Sequence, residues 1–530
     1  MDLRHPPNLL IPRTMKSSNN EKLLSGPADG GAPLRKNYWQ CFTARGFRVV
    51  MFVLLSSLAG LSCDSFLDVE PVDRIDAPSF FSTDQELLIG MNGVYAAQRS
   101  IYGSGTIYNI IEGRSDNTGL DHTDQAERVE IDIFAEVPGN LLLDITWAAM
   151  YNCINLANTV IVRGPDADGD AALIARIVGE AKFVRAFTYY HMVNLWGGTP
   201  LRVAPTEDFE ETAIARSSEA EVYDQIVRDL TEAAAVLPET YDGSSGHEVG
   251  RATNSAALTL LGKVELQRGN AGAATAALRQ VVSRHSLLSD YGMIHSPGND
   301  NSAESIFEVS FNPANQTGLF RQHFIPQSVA VELGIVAGGS TREILFPFVT
   351  QDLIDAFDDP NDLRIPHTFG TVEGREPGGY ITKFIDTSAE SDGADVNLVL
   401  LRHADVLLSL AESLGEGGEA YALINEVRSR AGLADIGPDT PGSFMEKLMK
   451  ERRLEFAFEM HRWFDLVRLP EAQTIAIMNA QLGAQQTTFQ RITNYNGPTS
   501  FSLTPERLVY PIPQLEIDIS GGVVTQNPGH

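Results

Sequence analysis

The sequence predicts a mainly α-helical fold: about four helical hairpins of the tetratricopeptide (TPR) type form a scaffold, with irregular loop-rich insertions and a few short β-strands. Three observations predict it. Apolar residues recur at helical spacing over long stretches, two segments of 33 residues share one helix–turn–helix plan, and glycine, proline and asparagine concentrate in blocks between helices. The helices should therefore form a rigid body from which the irregular segments project.

Composition limits the classes of partner. The chain has 530 residues and is 43% hydrophobic, which is enough for a large core. Its formal net charge is −29, and residues 63–530 alone carry 32 basic and 66 acidic side chains. Nucleic acid is therefore excluded as a partner, because so acidic a surface does not neutralise phosphates. Such a surface suits a high-salt environment, where charge repulsion is screened.

Residues 1–62 are predicted to be a lipoprotein-type signal segment. Arg45 and Arg48 precede a 14-residue apolar run that ends directly before Cys63 and is too short to span a bilayer. Leucine stands two residues before Cys63 and not three, which departs from the usual cleavage motif. We expect Cys63 to be the lipidated first residue of the mature chain, followed by a tether over residues 63–80. Simple signal cleavage and an N-terminal membrane anchor are the alternatives, and the long stretch ahead of Arg45 leaves the translation start open.

The remaining chain is predicted to be one domain, residues 81–530. Its expected parts are TPR-like helices over 83–285 and 400–432, a loop-rich insertion over 286–398, and a C-terminal helix and tail over 443–530.

The first irregular segment is residues 99–139. A capping box at Ser82-x-x-Gln85 is predicted to open a helix through Gln98, after which glycines break the pattern. An insertion of this length between helices is typical of a functional segment. Its planar polar and aromatic side chains suit sugar hydroxyls and ring faces, although glycine-rich loops that bind nothing have the same mixture. The candidate ligand-binding residues here are Tyr102, Tyr108, Asn109, Arg114, Asp116 and Asn117.

Helical patterns resume over residues 141–162 and again after Asp166 to Asp170. The latter segment resembles the opening of a calcium-binding loop but lacks its glycine and glutamate, so we interpret it as a capped turn. Gly197 and the residues after it are expected to end the second helix. His191 and Cys153 lie in apolar runs, where a buried core residue is a better interpretation than a metal ligand or a reactive thiol.

Residues 253–285 and 400–432 carry the two clearest hairpins. Each has two apolar stripes joined by a glycine-containing turn, with small residues toward the partner helix, which is the design of TPR repeats. Residues 83–162 and 171–236 are interpreted as two further pairs with longer insertions.

The second irregular block covers residues 286–398. It is rich in glycine, proline, asparagine and aspartate, and it contains β-like runs from Ser305 to Phe311 and from Tyr380 to Ile385. Tyr291 and Phe324 are its candidate ligand-binding residues.

The stretch from Glu451 to Pro470 is predicted to be one helix that proline ends. On it Glu451, Glu455 and Glu459 recur every four residues, and Arg462 follows. Charges enclosed between apolar flanks must be paired. We interpret them as a partly buried salt-bridge and cap network, with catalysis as the alternative.

The amino-acid sequence of this stretch, ERRLEFAFEMHRWFDLVRL, resembles the signature of the SusD/RagB family, with Met460 in place of the usual glycine. Other segments also resemble sequence motifs of that family, namely SFLDVEP, GEAKFVRAFTYYHMVNLWGGTPL, LRHADVLLSLAES, LINEVRSRAGL and the terminal PIPQLEIDISGGVVTQNPGH. Proline-fixed ends of this type are expected to pack back onto the body.

The resemblance implies a function. Members of this family are outer-membrane lipoproteins that bind nutrients beside a TonB-dependent transporter. It implies that residues 99–139 and 286–398 pack together as a recognition face. The lipid-anchored, cell-surface protein would cover a SusC-like transporter in the outer membrane as a hinged lid and deliver a glycan oligomer to it. An oligopeptide, as in RagB-like members, is the alternative ligand.

No enzymatic activity is expected. The sequence lacks the motifs of serine hydrolases, zinc proteases and nucleotide-binding enzymes, and its 11 histidines are scattered. Glycoside hydrolysis stays an alternative, because the separation of two carboxylates is not readable from a sequence. A secreted TPR-type protein-interaction scaffold is a second alternative. No cofactor or metal site is expected, and a structural calcium ion is left open.

Overall fold

The computed structural model describes residues 80–492 and 502–530, apart from residues 104, 121–124, 207–212, 242–247, 312–324, 334–347, 374–378 and 386–395. The signal segment, the lipidation site Cys63, the tether before residue 80 and Phe324 lie outside the described residues. The predictions made for them stay predictions. All described residues belong to one compact unit, Ile75–His530. In this part of the chain, no helix combines the length and apolar character that crossing a bilayer requires.

Helices dominate the described residues and stack in chain order. They are α1 Asp84–Gly103, α2 Thr106–Glu112, α3 Ala126–Asp132, α4 Leu141–Arg163, α5 Ala171–Trp196, α6 Glu219–Val236, α7 Asn254–Gln267, α8 Ala271–Leu278, α9 Gln327–Glu332, α10 Gln351–Ala356, α11 Ile365–Thr368, α12 His403–Leu414, α13 Gly418–Arg430, α14 Phe444–Glu455, α15 Arg462–Leu466, α16 Glu471–Ile492 and α17 Gln514–Ile519. Helix α1 packs on α4, each helix from α4 to α8 packs on the next, and α8 packs on α12, which pairs with α13. The mainly helical fold is therefore confirmed.

The hairpins are built on small residues, as predicted. In the α7–α8 hairpin, a Cβ added to Gly262 would lie only 2.5 Å from Cγ of Leu278, so this close approach requires glycine. Thr275 of α8 donates through its hydroxyl to the Ser413 hydroxyl of α12 at 2.8 Å, which joins the two clearest hairpins. The predicted pairs over 83–162 and 171–236 appear as α1 with α4 and α5 with α6.

Short strands occur where the second block has β-like runs. The strands are β1 Thr118–Gly119, β2 Ser305–Val309, β3 Phe348–Val349, β4 Phe369–Thr371, β5 Gly379–Ile381 and β6 Leu398–Arg402. They form an antiparallel sheet in the order β1-β3-β5-β4 and a separate β2–β6 pair. Strand β6 runs directly into α12. The hairpin predicted over residues 400–432 therefore opens with the end of a strand, and its first helix begins only at His403.

The start of α1 differs from the predicted capping box. Glu86, and not Gln85, closes the box: its Oε2 accepts from the Ser82 backbone N–H at 2.9 Å and from the Ser82 hydroxyl at 2.8 Å. The Thr83 hydroxyl in turn accepts from the Glu86 N–H at 3.3 Å. A carboxylate accepts both bonds better than an amide does, which shifts the cap by one residue. The helix also continues past Gln98, to the last residue of α1.

The single helix predicted from Glu451 to Pro470 is wrong. Helix α14 ends at Glu455 and α15 begins only at Arg462, and between them Phe458 and Met460 have positive φ angles of 70° and 61°. Leu454 of α14 and Trp463 of α15 pack in the same core on either side of the break, so helical spacing does not reveal it.

The C-terminal tail packs back on the body, as predicted. The Tyr510 N–H donates to the Leu195 carbonyl at 2.7 Å, and its hydroxyl donates to the Ile110 carbonyl at 2.6 Å. Asn527 donates through its side chain to the Trp196 carbonyl at 2.9 Å. The tail thus joins the C-terminal end of α5 to the first irregular segment.

His191 and Cys153 are buried core residues, as predicted. Burial lowers the pKa of His191 to about 3 and raises the pKa of Cys153 to about 12, so both stay uncharged at neutral pH. Asp170 caps α5 by accepting from the Ala172 N–H at 2.8 Å, which confirms the capped turn.

Candidate functional site

The two irregular segments meet, as predicted. Strand β1 of the first segment pairs with β3 of the second, with Thr118 opposite Val349. At the end of this pair, Thr350 donates through its N–H to the Asn117 carbonyl at 3.0 Å and through its hydroxyl to the Asp116 carbonyl at 2.8 Å. The contact therefore joins backbone to backbone and fixes the position of one segment against the other.

Arg114, a predicted ligand-binding residue, is fully buried in a cage of aromatic rings. Its guanidinium carbon lies 3.9 Å from the ring centroid of Tyr510 and 4.9 Å from those of Phe134 and Trp463. One terminal nitrogen donates to Glu136 at 3.2 Å and also to the Arg507 carbonyl. This cation–π arrangement ties the first segment to the tail and to α15.

Asp116 and Asn117 are buried against the α14–α15 region. Arg462 donates to both carboxylate oxygens of Asp116, at 2.7 and 2.8 Å, and Arg453 donates to the Asn117 side-chain oxygen at 2.9 Å. Burial would raise the pKa of Asp116, but the two guanidinium groups hold it well below its usual range. In the described structure these two residues join elements and are closed to solvent.

The other predicted site residues are divided between the core and the surface. Tyr102 and Tyr108 are buried, and the Tyr291 hydroxyl donates to the Glu455 carbonyl at 2.8 Å. Asn109 is partly exposed and donates to the carbonyl of Gly105 at 3.0 Å. Direct ligand contact by these residues stays a prediction, and a ligand at the surface of this structure reaches Asn109 more readily than the buried members.

A buried ion network surrounds the break between α14 and α15. It consists of ten connected groups: Arg364, Lys383, Arg402, Arg428, Arg430, Glu304, Asp362, Glu451, Glu455 and Glu459. Five positive charges therefore meet five negative ones. Except for Arg428, at 18%, each side chain is at most 3% exposed.

Arg402 lies at the centre of this network. Its Nε donates to Glu459 at 2.8 Å, and its terminal nitrogens donate to Glu304 at 2.8 Å and to Glu455 at 2.5 Å. Burial would raise the pKa of Glu455, but Arg430, Arg402 and Arg364 hold it at about 2. The interpretation of the glutamate stripe as a salt-bridge network is confirmed, and the break in the helix turns Glu459 toward Arg402.

Glu112 links the first segment to this break. Its Oε2 accepts from the Met460 N–H at 3.0 Å, and its Oε1 accepts from the side chains of Ser115 and Asn117, each at 3.2 Å. Burial raises the pKa of Glu112 to about 7, so this carboxyl titrates near neutrality. Sequence reasoning did not single out Glu112, and its place before Gly113 gave no signal of its burial.

In the described part of the chain, two adjoining hollows form a trough away from this junction. The larger, of about 530 Å³, lies between the segment before α7 and strand β2, and the smaller, of about 260 Å³, continues along α1. Val249, Gly250, Arg251 and Glu308 line both hollows. We call this space the α1–β2 trough. None of the predicted site residues lines it.

Among the described residues, no group of three or more histidine, cysteine, aspartate or glutamate side chains is arranged to hold a metal ion.

Comparison with known proteins gives two matching family models. The one described as "SusD family" matches residues 370–530, and the one described as "Starch-binding associating with outer membrane" matches residues 65–266. The two matches are separate and follow each other along the chain. The chain belongs to the SusD/RagB family.

Relatives of the SusD/RagB family align over most of the chain. The SusD-like protein P2 of Formosa agariphila is 27% identical over 474 residues, which is 80% of this chain and 90% of that protein. A laminarin binding SusD-like protein of known structure is 26% identical and covers 85% of this chain and 100% of its own, with a TM-score of 0.70. Surface glycan-binding protein A of Bacteroides thetaiotaomicron, solved with laminarihexaose, is 21% identical, with 84% and 100% coverage and a TM-score of 0.68, and supports the fold alone.

One departure from the SusD/RagB signature has a structural reason. Met460, where the resemblance has glycine, has a φ of 61°, a left-handed conformation that glycine adopts without strain. The Met460 side chain is 5% exposed and packs in the main core. Burial of the thioether therefore offsets the backbone strain in this member of the family.

Proposed function

We propose that this protein captures a glycan oligomer at the cell surface and delivers it to a SusC-like TonB-dependent transporter in the outer membrane. The observation that carries the proposal is the similarity to the laminarin binding SusD-like protein, which extends over 85% of this chain and all of that one. The helix stack and the buried ion network support it, because they give a rigid body on which loops can hold a ligand.

The described residues are consistent with glycan binding without catalysis. The glutamates of the α14–α15 region are matched by cations and are buried, so they are not placed to act on a bound glycan. The tryptophans of the described chain, Trp147, Trp196 and Trp463, are also buried. Sugar stacking would therefore fall to tyrosine and phenylalanine.

Titration calorimetry with the purified full-length protein tests the ligand. The probes are laminarihexaose, maltohexaose and a set of oligopeptides, each at matched concentration. We expect heat from at least one glycan, none from the peptides, and no shortened sugar in the recovered solution. Binding of peptides alone would instead favour the RagB-like alternative, and released sugar would favour a hydrolase.

The location and partner are tested in cells of the native host. We expect the wild-type protein in the outer-membrane fraction, co-purifying with a TonB-dependent barrel after mild detergent extraction. Cys63→Ala should move the protein out of that fraction, because the lipid anchor is lost. Retention of the variant in the membrane would contradict lipidation at Cys63.

A further inference from the structure

The α1–β2 trough is formed by three elements that converge. Helix α1 presents Asn92, Tyr95 and Arg99 to it, at spacings of three and four residues that place them on one face. The opposite wall is the end of β2 with Ser310. Gly250 brings the third element close: its φ is +91°, and a Cβ at this position would lie 3.3 Å from the Ser310 hydroxyl oxygen. The size of the larger hollow falls within the range of about 300–1,000 Å³ that is usual for ligand sites.

Arg99 is exceptional among the described cations. Its Nε is buried, and none of its guanidinium nitrogens has a hydrogen-bond or ion-pair partner among the described residues. The Nε atoms of Arg114, Arg176 and Arg430 are also buried without a hydrogen-bond partner, but these arginines are held through their other nitrogens. Burial lowers the pKa of Arg99, and no neighbouring carboxylate acts in the opposite direction. Every other arginine and lysine whose side chain the structure describes has a hydrogen-bonding, ionic, ring or other electrostatic partner. Because Arg99 is partly exposed at the wall of the trough, its N–H groups are available to an acceptor from outside the chain.

The other charged groups of the trough are already engaged. Arg251 donates to Glu180 at 2.8 Å and also to the side-chain oxygen of Asn92. Glu308 accepts from the Asn301 N–H and from the Asn397 side chain, each at 2.9 Å. Burial raises the pKa of Glu308, which weakens its negative charge further.

The charged groups of the larger hollow also have partners within the protein or are neutral. Arg284 pairs with Glu239 at 3.1 Å and donates to the Asn254 side chain at 2.6 Å. Burial lowers the pKa of His285, so its imidazole is mainly neutral at pH 7. The tyrosine ring of Tyr241 and several serine hydroxyls complete the wall, and such groups suit sugar faces and hydroxyls.

We propose that the α1–β2 trough binds an anionic saccharide whose carboxylate or sulfate oxygens accept hydrogen bonds from Arg99. The planar guanidinium suits such oxyanions, which accept two N–H groups side by side. Because the protein is strongly acidic, its overall field repels polyanions, so affinity depends on this local contact. The inference rests on the proposed glycan binding and sharpens its ligand class.

Titration calorimetry on the full-length protein tests this site with three probes of similar length. They are an oligogalacturonate, which carries carboxylates, a κ-carrageenan oligosaccharide, which carries sulfates, and neutral laminarihexaose. We expect the wild type to bind at least one anionic probe, and which one binds separates the two sources of the oxyanion. Arg99→Gln should weaken that binding at least tenfold, whereas Arg99→Lys should weaken it less. Laminarihexaose binding should be unchanged in both variants.

Two further variants control the experiment. Arg279→Gln removes an exposed arginine paired with Glu419 outside the trough, and it should leave all affinities unchanged. Ser310→Trp keeps Arg99 but fills the smaller hollow from an exposed position, and it should abolish binding of the anionic probe. Circular dichroism and urea midpoints equal to those of the wild type establish that the variants are folded.

The outcomes separate this inference from the proposed function. Equal affinity of Arg99→Gln and wild type for the anionic probes would overturn the inference. Binding of laminarihexaose without binding of either anionic probe would overturn it as well and leave the proposed function standing. Absence of binding to all three probes and to maltohexaose would count against the proposed function itself.

Discussion

Arg402 in the buried ion network and Arg99 in the α1–β2 trough are placed under opposite conditions. Arg402 is 1% exposed at its side chain and is held by the carboxylates of Glu304, Glu455 and Glu459, whereas Arg99 is partly exposed and has no partner among the residues that the structure describes. A charge in the interior is stable only when its partners are assembled around it, so Arg402 acts on folding. A charge at an open wall keeps its capacity for an outside acceptor, so Arg99 acts on binding. The predictions below test this difference.

The largest effect is expected for Arg402→Met. Removing the guanidinium leaves Glu304, Glu455 and Glu459 with fewer cations in a closed interior, which typically costs about 3–5 kcal/mol of the free energy of unfolding. Urea denaturation at pH 7 measures it. The matched control is Arg279→Met, whose exposed pair is screened by solvent and should contribute far less to stability. Equal losses in both variants would contradict the structural role given to the network.

The next effect is a pH dependence of opposite sign at two glutamates. Glu455 has a pKa of about 2, below its ordinary 4.5, so its stabilisation is present above pH 4.5 and is lost as the pH falls toward 2. Glu112 has a pKa of about 7, so its contribution is present below pH 4.5 and is lost as the pH rises through 7.

Urea denaturation at pH 5 and pH 8 isolates the Glu112 contribution. The free energy of unfolding of the wild type should fall relative to that of Glu112→Gln by an amount on the order of 2–3 kcal/mol over this range. The comparison between variants cancels groups that titrate elsewhere. A constant difference between the two proteins at both pH values would show that Glu112 does not titrate there.

A smaller effect is expected at Met460, between the network and the first irregular segment. Both Met460→Gly and Met460→Ala lose a buried side chain, but only glycine relieves the left-handed backbone, so the glycine variant should be the more stable by about 1 kcal/mol. At Met449, inside α14, the order should reverse by about the same amount. Thermal and urea denaturation of the four variants measure both differences.

The smallest effect on stability is expected for Arg99→Gln. Because no partner is lost, the free energy of unfolding should change by less than about 0.5 kcal/mol, although the affinity for an anionic saccharide falls. Urea midpoints and calorimetric affinities on the same preparations measure the two quantities together. A loss of several kcal/mol would assign Arg99 to the fold and remove the contrast with Arg402.

The sequence alone was sufficient for the helical scaffold and for the pairing of the glutamate stripe. Helical spacing and the small residues of the α7–α8 and α12–α13 hairpins are local, so they predict the scaffold directly. Glu451, Glu455 and Glu459 are enclosed by apolar residues in the sequence itself, which indicates pairing before any partner is known.

Only the tertiary structure decided which polar residues are buried and which face open space. Arg114, Asp116 and Asn117 look like loop residues in the sequence, but the tail, α15 and β3 arrive from hundreds of residues away and enclose them. Arg99 looks like any arginine near the end of a helix, and only the meeting of α1, Gly250 and β2 shows that it faces a trough without a partner among the described residues. Local spacing determines what a segment forms, whereas long-range contacts determine what remains free to bind.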